Sequence, residues 1–71
     1  MYYLIDIETY NDGTAASKAI YAYESEGEAV ASFHSRLGSA MKNKNCATCL
    51  CKVISETGTE VKSEFWARPE V

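Results

Sequence analysis

The chain has 71 residues, of which 46% are hydrophobic and 24% are charged, with four Gly and one Pro. This composition is typical of one small globular domain, because a domain usually holds about 100 to 150 residues, and it excludes a two-domain protein. Ten acidic residues against seven basic residues give a net charge of −3, which excludes the counterion-release driving force of general nucleic-acid binding.

Targeting segments are the next feature that the sequence excludes. Every apolar run is far shorter than the roughly 20 residues that cross a bilayer. The opening Met1-Tyr2-Tyr3 lacks the basic segment of a signal peptide. We therefore predict a single soluble domain over residues 1–71 that is cytoplasmic and binds neither nucleic acid nor membrane.

The first predicted element is a β-hairpin. Residues 2–10 are rich in aromatic and β-branched side chains, as strands are. They end at Asn11-Asp12-Gly13, where the glycine supplies the positive φ of a tight turn. After a connection of residues 14–17, residues 18–23 form the returning strand.

A helix follows the hairpin. Ser25 and Glu28 have the spacing of a capping box, in which the serine hydroxyl accepts from the backbone N–H three residues on and the Glu28 carboxylate reaches back to the Ser25 amide. An apolar stripe of helical period comes next: Ala29, Val30, Phe33, Leu37, Ala40 and Met41. The predicted helix ends near Asn43-Lys44-Asn45.

A second hairpin completes the chain. Residues 46–55 and 60–66 alternate in polarity around the turn at residues 56–59, and Pro69 ends regular pairing because it cannot donate to a strand ladder. Regular structure thus spans about residues 2–66, with a short C-terminal tail. The predicted fold is α+β with the order ββαββ: a four-stranded antiparallel sheet with one helix packed on one face.

A single helix can cover only one face of such a sheet, so the other face must meet solvent or a partner. We expect the helix to cover Tyr3, Ile5, Ile7, Ile20, Ala22, Cys49, Cys51, Val53, Val61 and Phe65. The opposite choice would bury the charged residues Asp6, Glu8, Lys52, Lys62 and Glu64.

The uncovered face then carries a predicted patch made of Tyr2, Leu4, Tyr21, Tyr23, Leu50, Ile54 and Trp66. Apolar patches of several hundred Å² mark interfaces on soluble proteins. We therefore predict a non-enzymatic protein–protein interaction module that forms a homodimer or binds another protein through this patch. In the alternative interpretation, cross-strand tyrosine pairs only stabilise the sheet.

The three cysteines, Cys46, Cys49 and Cys51, are an odd and tightly clustered set, which does not indicate a disulfide framework. In an extended strand Cys46 points away from the other two, so we expect no metal site and no cofactor, and we interpret Cys49 and Cys51 as small buried hydrophobes. The alternative is a small metal- or ligand-binding protein that uses the neighbourhood of Cys49, Cys51 and His34.

Catalytic patterns are weak. The segment Ile5-Asp6-Ile7-Glu8-Thr9 resembles the first carboxylate motif of proofreading-type 3′-5′ exonucleases, but such enzymes need further distant carboxylates and a much longer domain. We interpret Asp6 and Glu8 as solvated charges on the uncovered sheet face. His34 flanks the apolar stripe of the helix and has no recognisable nucleophile or acid partner, so it is expected to be a packed or hydrogen-bonded side chain.

Several segments carry a resemblance to a known group: Tyr2-Tyr3-Leu4-Ile5-Asp6-Ile7, Gly13, Glu28-Ala29, Phe33-His34, Leu37 and Glu56-Thr57-Gly58. On these residues the chain resembles very short hypothetical proteins encoded by phages and prophages of Gram-positive, often gut-dwelling, bacteria. The cysteine cluster departs from that group, which has ordinary apolar residues there. The resemblance implies a phage accessory protein in the host cytoplasm whose partner is a copy of itself or a host or phage protein.

Overall fold

The structure, a computed structural model, describes residues 1–69. Its elements are β1 (Tyr2–Tyr10), β2 (Ser17–Tyr23), α1 (Glu26–Lys42), β3 (Cys46–Ser55) and β4 (Glu60–Ala67). The predicted α+β fold with the order ββαββ is therefore confirmed. Of the predicted C-terminal tail, Glu70 and Val71 lie outside the described residues. Within residues 1–69, no helix has the length and hydropathy of a bilayer-spanning segment.

The four strands form one sheet in the order β2-β1-β3-β4, and every neighbouring pair is antiparallel. Since β2 and β3 are both antiparallel to β1, they run parallel to each other. Parallel strands need a crossover connection, and α1 supplies it. The helix consequently lies across the central strands β1 and β3.

Both predicted hairpin turns are confirmed and depend on a glycine. Gly13 and Gly58 have φ values of +85° and +90°, a region that glycine adopts without the steric cost of a Cβ. Asp12 stabilises the first turn by accepting from the Thr14 N–H at 2.9 Å.

The helix begins and ends where the sequence predicts. The Ser25 hydroxyl accepts from the Glu28 N–H at 3.2 Å, but the Glu28 carboxylate accepts from that hydroxyl at 3.1 Å rather than from the Ser25 amide. Asn43 ends the helix by donating its N–H to the carbonyls of Ser39 and Ala40. The predicted stripe is buried at Ala29, Phe33, Leu37 and Ala40, whereas Met41 is 42% exposed.

The predicted assignment of the sheet faces is wrong for β1, β2 and most of β4. Leu4 is fully buried in the core under the helix, and four other members of the predicted patch pack against that core: Tyr2, Tyr21, Tyr23 and Trp66. Conversely, Ile20 and Phe65, predicted under the helix, are 70% and 62% exposed.

Cross-strand pairing explains why these residues lie on the face opposite to the predicted one. Directly opposed residues of antiparallel strands share one face of the sheet. Leu4 opposes Val53 and Tyr21, and Asp6 opposes Cys51. Because the cysteines and Val53 of β3 do face the helix, as predicted, the pairing brings Leu4 and Asp6 to the same side. The same pairing places Tyr3, Ile5, Ile7 and Ala22 on the opposite side of the sheet.

Cys46 also departs from its predicted orientation. Thr9 opposes Thr48 but Tyr10 opposes Cys46, so Ala47 is an extra residue in β3 and forms a β-bulge. The bulge reverses the alternation and turns Cys46 back toward the helix side, where it is fully buried with Cys49 and Cys51. The prediction that Cys46 points to the opposite face is therefore wrong, and the prediction that Cys49 and Cys51 are buried is confirmed.

Candidate functional site

The face of the sheet opposite the helix, hereafter the open face, has apolar side chains on all four strands. One row is formed by Ile7, Leu50 and Phe65, which oppose one another on β1, β3 and β4. In a second row Ile5 opposes Ile20 on β2 and Lys52 on β3, and a third row pairs Tyr3 with Ile54. These rows place isoleucines at the centre of an uncovered surface.

A shallow apolar depression of about 250 Å³ lies at the β2 side of the open face. Its lining comprises Ile5, Ile7, Lys18, Ala19 and Ile20. Lys52, which opposes Ile5 on β3, forms an ion pair of 3.0 Å with Glu60 of β4. The apolar residues of the open face thus lie between Lys18 on β2 and the Lys52–Glu60 ion pair across β3 and β4.

Only Leu50 and Ile54 of the predicted patch lie on the open face. Sequence reasoning assigned Ile5, Ile7, Ile20 and Phe65 to the core and so missed them as surface residues. The alternation of β3 could have identified them. Leu50 and Ile54 of β3 are correctly predicted on the uncovered side, and the residues of β1 and β4 that oppose them must lie on the same side.

The helix-covered face holds a buried polar cluster at its centre. The Asp6 side chain is only 4% exposed, and its Oδ2 accepts from Arg36 Nη1 at 3.3 Å. The Cys49 and Cys51 thiols lie 3.7 and 4.0 Å from Asp6 Oδ1, and their two sulfurs are 3.6 Å apart. The prediction that Asp6 is a solvated charge on the uncovered face is therefore wrong.

The position of Arg36 explains how the fold tolerates a buried carboxyl group. Its guanidinium stacks on the Tyr21 ring, 3.8 Å from the centroid, and reaches Asp6 from the helix. A buried charge is tolerated when it is paired and hydrogen-bonded. The ion pair and the two thiol donors give Asp6 both kinds of compensation.

Glu8 and Cys46 extend the polar cluster along the same strands. Glu8 is half-buried on the helix side rather than solvated on the uncovered face, which corrects its prediction. Burial, and then the charge of Asp6, raise the pKa of Glu8. The Cys46 sulfur lies 3.8 Å from Glu8 Oε1. Burial raises the pKa of the Cys46, Cys49 and Cys51 thiols, which favours their protonated form in the absence of a metal ion.

A polar depression of about 290 Å³ lies beside this cluster, between α1 and β1. It is lined by Glu8, Ser32, Ser35, Arg36 and Ser39. The buried Nε of Arg36 has no hydrogen-bond partner. At the side of the depression, the Tyr23 hydroxyl donates to the Ser32 hydroxyl at 2.7 Å.

His34 takes no part in the cluster. Its side chain is exposed, and its ring stands edge-on to Phe33 with 5.2 Å between the centroids. The residues whose potential ligand atoms all lie within 4.8 Å of one another are Asp6, Cys49 and Cys51. Asp6 thus occupies the place that the alternative interpretation gave to His34.

Comparison with known proteins gives no match: no protein-family model, no curated protein and no solved structure is similar to this chain at a significant level.

Proposed function

We propose that the protein is a non-enzymatic interaction module whose open face binds a second copy of the chain. The observation that carries this proposal is the exposure of large apolar side chains on that face, above all Ile20 at 70% and Phe65 at 62%. Contiguous apolar surface of this kind is uncommon on small monomers and is typical of interfaces.

The size of the face supports self-association. Four strands spaced about 4.8 Å apart and about eight residues long present a face of about 500 Å². Two such faces bury about 1,000 Å² in total, which is the lower limit for a specific protein–protein interface. A dimer of moderate affinity is the expected product.

The charge distribution favours an identical partner over a strongly charged one. The Lys52 ammonium group, which lies at the middle of the open face opposite Ile5, is paired with the Glu60 carboxylate at 3.0 Å. A twofold axis through this centre brings like surfaces together without opposing unpaired charges at the middle of the interface. A host or phage protein with an apolar surface is the alternative partner, in keeping with the phage accessory role that the resemblance implies.

Sedimentation of the full chain over a range of concentrations tests the proposal. We expect a monomer–dimer equilibrium in the wild type and a monomer in Ile20→Lys/Phe65→Lys, since each lysine brings an unpaired charge to the interface. Met41→Lys is the matched control, because Met41 is 42% exposed but lies on the helix. Circular dichroism checks that each variant is folded.

A wild type that stays monomeric at millimolar concentration would overturn the homodimer, as would a Met41→Lys variant that dissociates as readily as the double variant. A wild-type dimer that the double lysine variant leaves intact would move the interface elsewhere, to the sheet edges or the helix.

A further inference from the structure

We propose that Asp6, Cys49 and Cys51 bind one thiophilic divalent cation of the Zn²⁺ type beneath the helix. The proposal is independent of the open face, because the two sites lie on opposite sides of the sheet. Cross-strand pairing brings the ligands together. Asp6 opposes Cys51 and Glu8 opposes Cys49, so these four side chains form the corners of a square on β1 and β3.

The separations of the ligand atoms match a metal site. Zn–S bonds of about 2.3 Å and Zn–O bonds of about 2.1 Å in a tetrahedron require about 3.8 Å between two sulfurs and about 3.6 Å between a sulfur and an oxygen. The Cys49 and Cys51 sulfurs are 3.6 Å apart, and they lie 3.7 and 4.0 Å from Asp6 Oδ1. The three atoms therefore already form one face of a coordination tetrahedron.

The charge balance of the site is favourable. When the cation binds, the Cys49 and Cys51 thiols each release one proton to solvent and the sulfurs become ligands as thiolates. Two thiolates and the Asp6 carboxylate around a divalent cation carry a net charge of −1. The Arg36 guanidinium, 3.3 Å from Asp6 Oδ2, neutralises that charge.

The fourth ligand and the access route lie on the same side. Glu8 forms the fourth corner of the square and also lines the polar depression that opens between α1 and β1. A water molecule from the depression completes the tetrahedron, because Glu8 lies outside the group of ligand atoms and contacts Cys46 instead. Arg36, which contacts Asp6, lines the same depression, so the depression reaches the edge of the site.

The competing explanation is a metal-free hydrogen-bond network, in which both thiols donate to Asp6. Such a network satisfies the same three side chains without a cation. The two explanations differ in what happens when metal is offered to the folded protein. Only a coordination site deprotonates both thiols and holds the metal against dialysis.

The experiment uses the full chain, reduced and free of a polyhistidine tag. Zinc content after dialysis gives the stoichiometry, and Co²⁺ replaces Zn²⁺ as a spectroscopic probe. We expect one metal per chain, a thiolate-to-cobalt charge-transfer band, and the strong visible absorption of tetrahedral cobalt. Cys51→Ser should weaken Zn²⁺ binding by at least about 100-fold, more than the loss of an outer partner.

Cys46→Ser is the matched control, since Cys46 is equally buried but is outside the group of ligand atoms. It should keep the charge-transfer band. A wild type that retains no zinc and shows no thiolate band overturns the proposal, and so does a band that Cys51→Ser keeps or that Cys46→Ser loses. If Cys51→Ser fails to fold, the wild-type stoichiometry and cobalt spectrum together with the Cys46→Ser spectrum decide the matter.

Discussion

The two faces of the sheet differ in how their polar and aliphatic side chains are accommodated. The helix-covered face buries the Asp6 carboxyl group beside two thiols, within a core that includes Leu4 and Val53, whereas the open face presents three isoleucines, Ile5, Ile7 and Ile20. Apolar character along a single strand therefore does not identify the buried side. The buried side is the one whose polar side chains find partners on the helix.

The compensation is specific. Arg36 pairs with Asp6 and stacks on Tyr21, and Ser32 accepts from Tyr23, so the polar flank of α1 is matched to the polar residues of β1 and β2. On the open face Lys52 pairs with Glu60 of the sheet itself, and the isoleucines, which α1 does not cover, meet solvent or another chain. The helix thus selects a face by pairing as well as by hydrophobic burial.

Removing the side chain at the centre of the helix contact should give the largest effect. Phe33 is 1% exposed, and Phe33→Ala leaves a cavity between α1 and the sheet. We expect a loss of about 3 to 5 kcal/mol in the free energy of unfolding, most of the roughly 4 to 10 kcal/mol available to a chain of this size. Urea denaturation measures it, with Met41→Ala as the exposed control. A Phe33→Ala variant of nearly native stability would mean that this face is not the core.

Truncating one aliphatic residue on each face tests the face assignment directly. Leu4 is fully buried and Ile20 is 70% exposed. We expect Leu4→Ala to cost about 2 to 5 kcal/mol and Ile20→Ala less than about 1 kcal/mol. Urea denaturation at low protein concentration, where the chain is monomeric, gives both values. Equal costs, or a larger cost for Ile20→Ala, would restore the assignment that the sequence alone favours.

Elements and turns are the part of the fold that the sequence predicts well. Local signals decide them: the glycines at positions 13 and 58, the serine cap of the helix, and the apolar stripe of α1 each act within a few residues. The order ββαββ and all element boundaries follow from these signals to within about two residues. These local signals do not give the order of the strands in the sheet, because that order depends on contacts between distant segments.

The sheet faces and the candidate cation site could not be predicted for the same physical reason. The alternation in β1 is compatible with burial of either side of the strand. Which side is buried depends on Arg36, which lies 30 residues from Asp6 and pairs with it only in the folded chain. The position of Cys46 depends on a bulge at Ala47 that local propensity does not encode. The cost of burying Asp6 and Glu8 favours the wrong face when each strand is considered alone, because the helix supplies Asp6 with a partner that offsets this cost.

The smallest expected effect concerns the start of the helix that makes one face different from the other. The Ser25 hydroxyl accepts from the Glu28 N–H at 3.2 Å, and alanine cannot replace that acceptor. We therefore expect Ser25→Ala to cost about 0.5 to 2 kcal/mol, with a lower Tm in thermal denaturation followed by circular dichroism. Ser39→Ala is the control: Ser39 is exposed within α1, where alanine is the better helix former, so its Tm should stay equal or rise slightly. A Ser25→Ala variant that melts at the temperature of Ser39→Ala would show that the cap does not hold the helix. The packing of Phe33 and the ion pair of Arg36 would then be sufficient to keep the helix on its face.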